Sequence, residues 1–142
     1  MSGEFHYQRR VEFCETDAAG IAHFSAYFQY MEQAEHAFLR HLGTSVITKD
    51  EAGDISWPRV SATCDYAGSV KFEDVLDIVV RIERLGTKSV TYAFDLRLQE
   101  TSVATGKMTA VCCCFTHDKQ PQSMPIPSWL VERMRPFVAI NE

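Results

Sequence analysis

The run Ser25-Ala26-Tyr27-Phe28-Gln29-Tyr30-Met31-Glu32-Gln33-Ala34-Glu35-His36-Ala37-Phe38-Leu39-Arg40-His41-Leu42-Gly43 decides how the rest of the chain must fold. Tyr27, Met31, Ala34, Phe38 and Leu42 recur at helical spacing, with Phe28, Glu35 and Leu39 on an adjoining strip, which predicts one helix over residues 25–42. Gly43 supplies the stop signal. Such a helix is about 25 Å long, and its apolar stripe is wide and aromatic enough to make it the central core element. No other stretch of the sequence reads as a long helix, so strands must cover this one.

Strand patterns lie on both sides of it. Phe5, Tyr7, Val11 and Phe13 alternate with His6, Gln8, Arg10 and Glu12, broken only by Arg9, and read as a half-buried strand. A turn follows over residues 16–20, where Gly20 can take backbone angles closed to other residues. Beyond the helix, a polar connection over residues 49–54 leads to four strand-like runs. Val60, Ala62, Cys64 and Tyr66 alternate; so do Leu76, Ile78, Val80 and Ile82; so do Val90, Tyr92, Phe94, Leu96 and Leu98. The run over residues 108–115 is apolar on nearly both faces, as in a central strand. Turns are expected at residues 86–88 and 105–106. After Pro121, Pro125 and Pro127, Ser128 is placed to cap a short terminal helix. One strand, one long helix and four strands predict an α+β layout, with five antiparallel strands curled around the helix in a single domain over residues 1–142.

Composition narrows the function. The 142 residues are 46% hydrophobic and 23% charged, which fits one globular domain and not a disordered chain. No apolar run approaches the roughly 20 residues needed to span a bilayer. The N-terminus shows no basic start followed by an apolar core, so the cytoplasm is the expected location. Five cysteines, three of them consecutive, read as buried reduced thiols, with no Cys-x-x-Cys pair for zinc. The net charge of −5 disfavours nucleic acid as a partner. An anionic small molecule would need a local basic patch, for which Lys71, Arg81, Arg84, Lys88, Arg97 and Lys107 are candidates.

The chemistry points to Glu15-Thr16-Asp17-Ala18-Ala19-Gly20-Ile21-Ala22-His23-Phe24-Ser25-Ala26-Tyr27, which puts a carboxylate and an imidazole just before a helix N-terminus. The first turn of a helix leaves N–H groups unpaired and carries partial positive charge, a ready site for a carbonyl oxygen acquiring negative charge. Asp17 either reaches a substrate held there or simply stabilises a turn.

This segment resembles the signature of the 4-hydroxybenzoyl-CoA thioesterase family of hotdog-fold acyl-CoA thioesterases. The resemblance rests on Glu15-Thr16-Asp17, the small Ala18-Ala19, Gly20, and Tyr27 opening a helix that carries Met31, Glu32, Ala34 and Gly43. Weaker matches are Asp65-Tyr66 with Lys71-Phe72-Glu73-Asp74, and Ile126-Pro127 before the terminal helix. His23 before Phe24, and Ser69 where relatives often carry proline, depart from the pattern. The resemblance implies a hotdog fold, a five-stranded antiparallel sheet wrapped around the long helix, and hydrolysis of an acyl- or aroyl-CoA thioester. It implies Asp17 as nucleophile or general base, with N–H groups around Phe24, Ser25, Ala26 and Tyr27 holding the oxyanion. His23 is a candidate catalytic residue, either orienting substrate or water or packing against Asp17. Gly20, Tyr66, Lys88 and Ser89 are candidates for substrate binding. No metal and no cofactor beyond the coenzyme A of the substrate is expected, and self-association as a homodimer or homotetramer is. The rival readings are a hotdog enoyl-CoA hydratase or dehydratase, pairing His23 with Glu32 or Glu35, and a non-catalytic acyl-CoA-binding protein. Glu35 is otherwise expected to pair with a neighbour such as Arg9.

Overall fold

The computed structural model describes residues 3–51 and 53–139. In chain order the elements are β1 (Phe5–Arg10), a 3-10 turn (Phe13–Glu15), α1 (Ala26–His41), β2 (Thr48–Asp50), β3 (Gly53–Ser56), β4 (Arg59–Tyr66), β5 (Val75–Leu85), β6 (Ser89–Leu98), β7 (Thr101–Val111), β8 (Cys113–Phe115), β9 (Gln122–Ser123) and α2 (Ser128–Met134). The large sheet runs β1-β5-β6-β7-β4, antiparallel throughout.

α1 packs its apolar stripe against one face of that sheet. Ala26, Tyr27, Tyr30, Met31, Ala34, Phe38 and Leu39 are buried with Leu76, Ile78, Val80 and Ile82 of β5 and with Val90, Tyr92, Phe94 and Leu96 of β6. The helix ends where Gly43 takes a φ of +89°, with Gly43 N–H donating to Arg40 O and Thr44 N–H to Leu39 O, both at 3.0 Å. This paired arrangement satisfies carbonyls that a helix end otherwise leaves open. Arg133 of α2 adds a donor to Leu42 O at 2.7 Å.

Five strands do surround the helix, but the strand count differs from expectation. A second sheet, β2-β3-β8-β9, is built from the polar connection and from the end of the apolar run. Within that connection β2 and β3 pair as a hairpin, where the exposed Lys49 and the half-buried Asp54 opposite it hide the strand pattern. The run over residues 108–115 is cut at Cys112, where the chain leaves one sheet for the other. Thr105 and Gly106 are not a turn; they sit within β7, and the chain reverses at Gln99-Glu100, with Gln99 at a φ of 56°. β1 stops at Arg10, and Phe13 is 74% exposed in the 3-10 turn. Ser128 opens α2 rather than capping it; Pro127 holds the cap position. Cys112 and Cys113 are buried and Cys64 and Cys114 half-buried, all five thiols being free, but Cys14 is exposed, against the expectation. Among the described residues no helix is long and apolar enough to cross a membrane.

Gly106 is needed for packing rather than turning. A Cβ there would stand 2.8 Å from Thr63 O and closer still to Met31 Sδ, so this glycine lets α1 settle onto the sheet. Gly106→Ala is expected to lower stability by about 1–3 kcal/mol, read from urea unfolding, because a backbone oxygen cannot swing aside as a side chain can. An unchanged midpoint would contradict the close approach.

Candidate active site

The loop before α1 is held by Glu15. Its Oε1 accepts the Glu12 N–H at 2.8 Å and the Tyr30 hydroxyl at 2.9 Å, and its carboxylate is paired with Arg9 of β1. Burial works against the Glu15 charge, but the Glu12 N–H, Arg9 and Tyr30 together hold its carboxyl below the ordinary 4.5. From there the chain doubles back: Asp17 N–H donates to Ile21 O at 2.8 Å, Ala22 N–H to Val70 O at 2.8 Å, and His23 N–H to Glu15 O at 2.8 Å. Gly20, at a φ of +82°, makes the reversal possible. Asp17 is exposed, and its Oδ1 accepts the Ala19 N–H at 2.9 Å, so it does stabilise its own turn. Its Oδ2 has no hydrogen bond among the described residues.

The helix start leaves a narrower set of donors than the four residues expected from the sequence. Ala26 N–H is taken by His23 O at 2.9 Å, and Ser25 N–H lies 3.3 Å from His23 Nδ1. Phe24 and Tyr27 keep N–H groups with no partner among the described residues. Because the 23–24 peptide is trans and planar, tying its carbonyl to Ala26 turns the Phe24 N–H the opposite way. Tyr66 donates its hydroxyl to Phe24 O at 2.8 Å and packs edge-on against Tyr27, ring centroids 5.0 Å apart. Burial first, then neighbouring Cys64, pushes the Tyr66 hydroxyl up to about 12, so it stays a donor.

Two clefts flank this loop. One of about 210 Å³ is lined by Asp17, Ile21, Phe24, Tyr27, Tyr66 and Ser69, among others; the other, about 490 Å³, by Cys14, Glu15, Thr16, His23, Ser25 and Gln29, among others. The first is lined both by Asp17 and by Phe24 and Tyr27, the two residues whose N–H groups are unpartnered among the described residues. Asp17 and His23 line different clefts, and no hydrogen bond joins them among the described residues. A hollow of about 300 Å³ on the outer sheet face is rimmed by Arg81 and Lys107, but Glu4 and Glu83 already pair with these cations.

Residues 19–121 match the family model described as the thioesterase superfamily, beginning just past Asp17. The chain belongs to the thioesterase superfamily. An Aquifex aeolicus protein is 34% identical to this superfamily member over 100 residues, 70% of this chain and 77% of its own length. The acyl-CoA thioesterase YbgC of Haemophilus influenzae is 25% identical over 88% of this chain and 91% of its own. Among solved structures, a gentisyl-coenzyme A thioesterase is 30% identical, with a TM-score of 0.79 over 92% of this chain and 99% of that one. These neighbours share the hotdog thioesterase fold.

Other sequence candidates in this thioesterase-superfamily chain fall elsewhere. Tyr66 pairs with Ala104, and Ala104 with Leu96, whereas Ser89 pairs with Val111 at the far end of the same strands. Leu96 lies seven residue steps along β6 from Ser89, about 23 Å, so Lys88 and Ser89 do not join Asp17 within one chain. The basic residues do not form one patch either, since Arg81, Arg97 and Lys107 each face a carboxylate. Among the described residues no group of three or more His, Cys, Asp or Glu side chains converges as metal ligands.

Glu35 pairs with Arg59, not with Arg9, which is committed to Glu15. It lies about 14 Å along α1 from the helix start, so Glu35 does not pair with His23. Glu35 is fully buried, and among the described residues its Oε2, Arg59 Nε, His36 Nε2 and the Tyr92 hydroxyl lack hydrogen-bond partners. Burial pushes the Glu35 carboxyl up to about 7, against the pull of Arg59 and with the help of Glu32. A carboxyl raised from 4.5 keeps in the folded state a proton that the unfolded state releases, so its contribution is greatest below pH 4.5 and declines as pH rises through 7. Urea midpoints of wild type should therefore fall between pH 5 and pH 8 relative to those of Glu35→Gln. Parallel pH profiles for the two proteins would contradict this.

Proposed function

We propose that this chain hydrolyses the thioester of an acyl- or aroyl-CoA, with the carbonyl bound at the start of α1. The observation that carries the reading is the cleft lined by both Asp17 and Phe24, whose backbone N–H has no partner among the described residues. Asp17 attacks the carbonyl carbon, either directly or through a water it deprotonates. The carbonyl oxygen, gaining negative charge, takes the Phe24 N–H, with Tyr27 N–H the second candidate and the helix dipole adding to both. The intermediate collapses with departure of the coenzyme A thiolate, and water supplies the oxygen of the released acid. Tyr66 and Gly20 shape the pocket, one through the Phe24 carbonyl and the other through the loop reversal. As proposed, the reaction needs neither metal nor cofactor.

A second copy of the chain is part of this reading. Among the described residues β4 pairs only with β7, its eight residues are half-exposed or exposed, and Val60 is 64% exposed. Long open edges of this kind invite a further strand. An antiparallel β4–β4 pair would set the Tyr66 end of one copy beside the Arg59 end of the other. Lys88 and Ser89 lie at that second end, so a copy's Lys88 is a candidate for the anionic coenzyme A. A homodimer, or a tetramer of two dimers, with residues 1–142 as one hotdog domain, completes the proposal. Relatives named for acyl-CoA and gentisyl-coenzyme A support a substrate range that includes hydroxylated aroyl groups.

Release of thiol from aliphatic and hydroxylated aroyl-CoAs, compared between wild type and Asp17→Asn, tests the proposal. The variant should lose about 100-fold or more in kcat while KM moves little. Equal rates would remove Asp17 from the chemistry, and no release by either protein would remove the hydrolase reading.

A further inference from the structure

His23 presents two ring nitrogens in unlike surroundings. Nδ1 lies 2.8 Å from Ser25 Oγ and 3.3 Å from Ser25 N. A backbone N–H can only donate, so a protonated Nδ1 would meet it donor to donor; Nδ1 is therefore the acceptor, its one lone pair shared between that N–H and the hydroxyl, which is free to rotate. In a neutral imidazole the proton then sits on Nε2. The ring is further held against Phe24, centroids 4.6 Å apart and planes 33° from parallel. Nε2 has no hydrogen-bond partner among the described residues, and His23 lines the 490 Å³ cleft beside Thr16 and Gln29. Glu15, the carboxylate of that cleft, is taken up by Arg9, Tyr30 and the Glu12 N–H.

We infer that His23 serves this site as a hydrogen-bond donor through Nε2–H, to an acceptor oxygen of the bound thioester, with Ser25 the positioning residue that fixes its tautomer. The inference rests on the thioesterase reading for the substrate, but the tautomer stands on the geometry alone. A general base needs an unprotonated nitrogen turned toward its water, and the one available here is closed off by Ser25. Proton transfer is thus left to Asp17 in the other cleft. The helix start lies between the two clefts, so a thioester carbonyl bound there can extend one arm into each.

Two measurements test this. Long-range nitrogen–proton NMR spectra of the neutral His23 ring should show the Nε2–H tautomer in wild type and also in Ser25→Ala, which keeps the backbone N–H that fixes it. A ring with Nδ1–H in either protein would overturn the positioning role of the residue-25 backbone. Thiol release should fall about tenfold in kcat/KM for His23→Ala, the scale of one lost hydrogen bond. His23→Gln, whose amide can place an N–H near the Nε2 position but cannot act as a base at neutral pH, should recover to within about threefold of wild type. A glutamine variant as poor as the alanine one would make His23 a base, and an alanine variant as fast as wild type would remove it from the site. No thiol release by the wild type would sink the thioesterase reading and the substrate role of His23 together; an Nδ1–H spectrum from an active enzyme would sink the tautomer assignment alone.

Discussion

Glu15 accepts hydrogen bonds from a backbone N–H of its own turn, from Arg9 on the edge strand β1 and from Tyr30 inside the helix, and so ties together the three pieces that frame the loop. Asp17 follows Glu15 by two residues, and His23 returns to donate to the Glu15 carbonyl. The position of the exposed carboxylate is thus inherited from a half-buried one. An exposed loop with Ala18, Ala19 and Gly20 at its tip would otherwise have few reasons to hold one shape. Arg9 also lies over the Tyr30 ring, 5.0 Å from its centroid, which adds packing to the ion pair.

The same economy of donors shapes the helix start. A helix normally offers several open N–H groups at its first turn, but here most are satisfied by the chain's own doubling back, leaving Phe24 and Tyr27. Tyr66 fixes the next peptide from across the sheet, so the donor direction is set by both local and distant contacts. Preorganised donors of this kind stabilise developing charge because nothing has to reorient when the charge appears. The buried Glu35–Arg59 pair works at the other end of β4, where it couples the helix to the open sheet edge.

Much of this was legible in the sequence, for physical reasons that differ by element. The α1 stripe and its Gly43 stop are strong periodic signals because one face is wholly buried, and β5 and β6 alternate because one face of each is buried with that helix, whereas β4 alternates although its residues are half-exposed or exposed. The β2–β3 hairpin was illegible because an exposed edge places no demand on polarity. Gly106 read as a turn because glycine has two uses, and only the position of Met31 tells which applies. At the site, the loop and Asp17 followed from the motif, and the turn-stabilising role of Asp17 coexists with its free oxygen. The clamp at Glu15 and the Arg59 partner of Glu35 could not be read, since each joins residues far apart in the chain; Glu15 showed only as part of an acidic triplet. The separation of Asp17 from His23 into two clefts is likewise a property of how the loop folds back, not of spacing along it.

The central claim is that a thioester carbonyl docks at the start of α1 with Asp17 beside its carbon. A crystal structure of the Asp17→Asn variant with a bound hydroxylated aroyl-CoA tests this most directly. The carbonyl oxygen should lie about 3 Å from the Phe24 nitrogen, with the side chain at position 17 facing the carbonyl carbon. A thioester bound with its carbonyl oxygen away from the helix start, with Phe24 N–H turned to solvent, would contradict that claim.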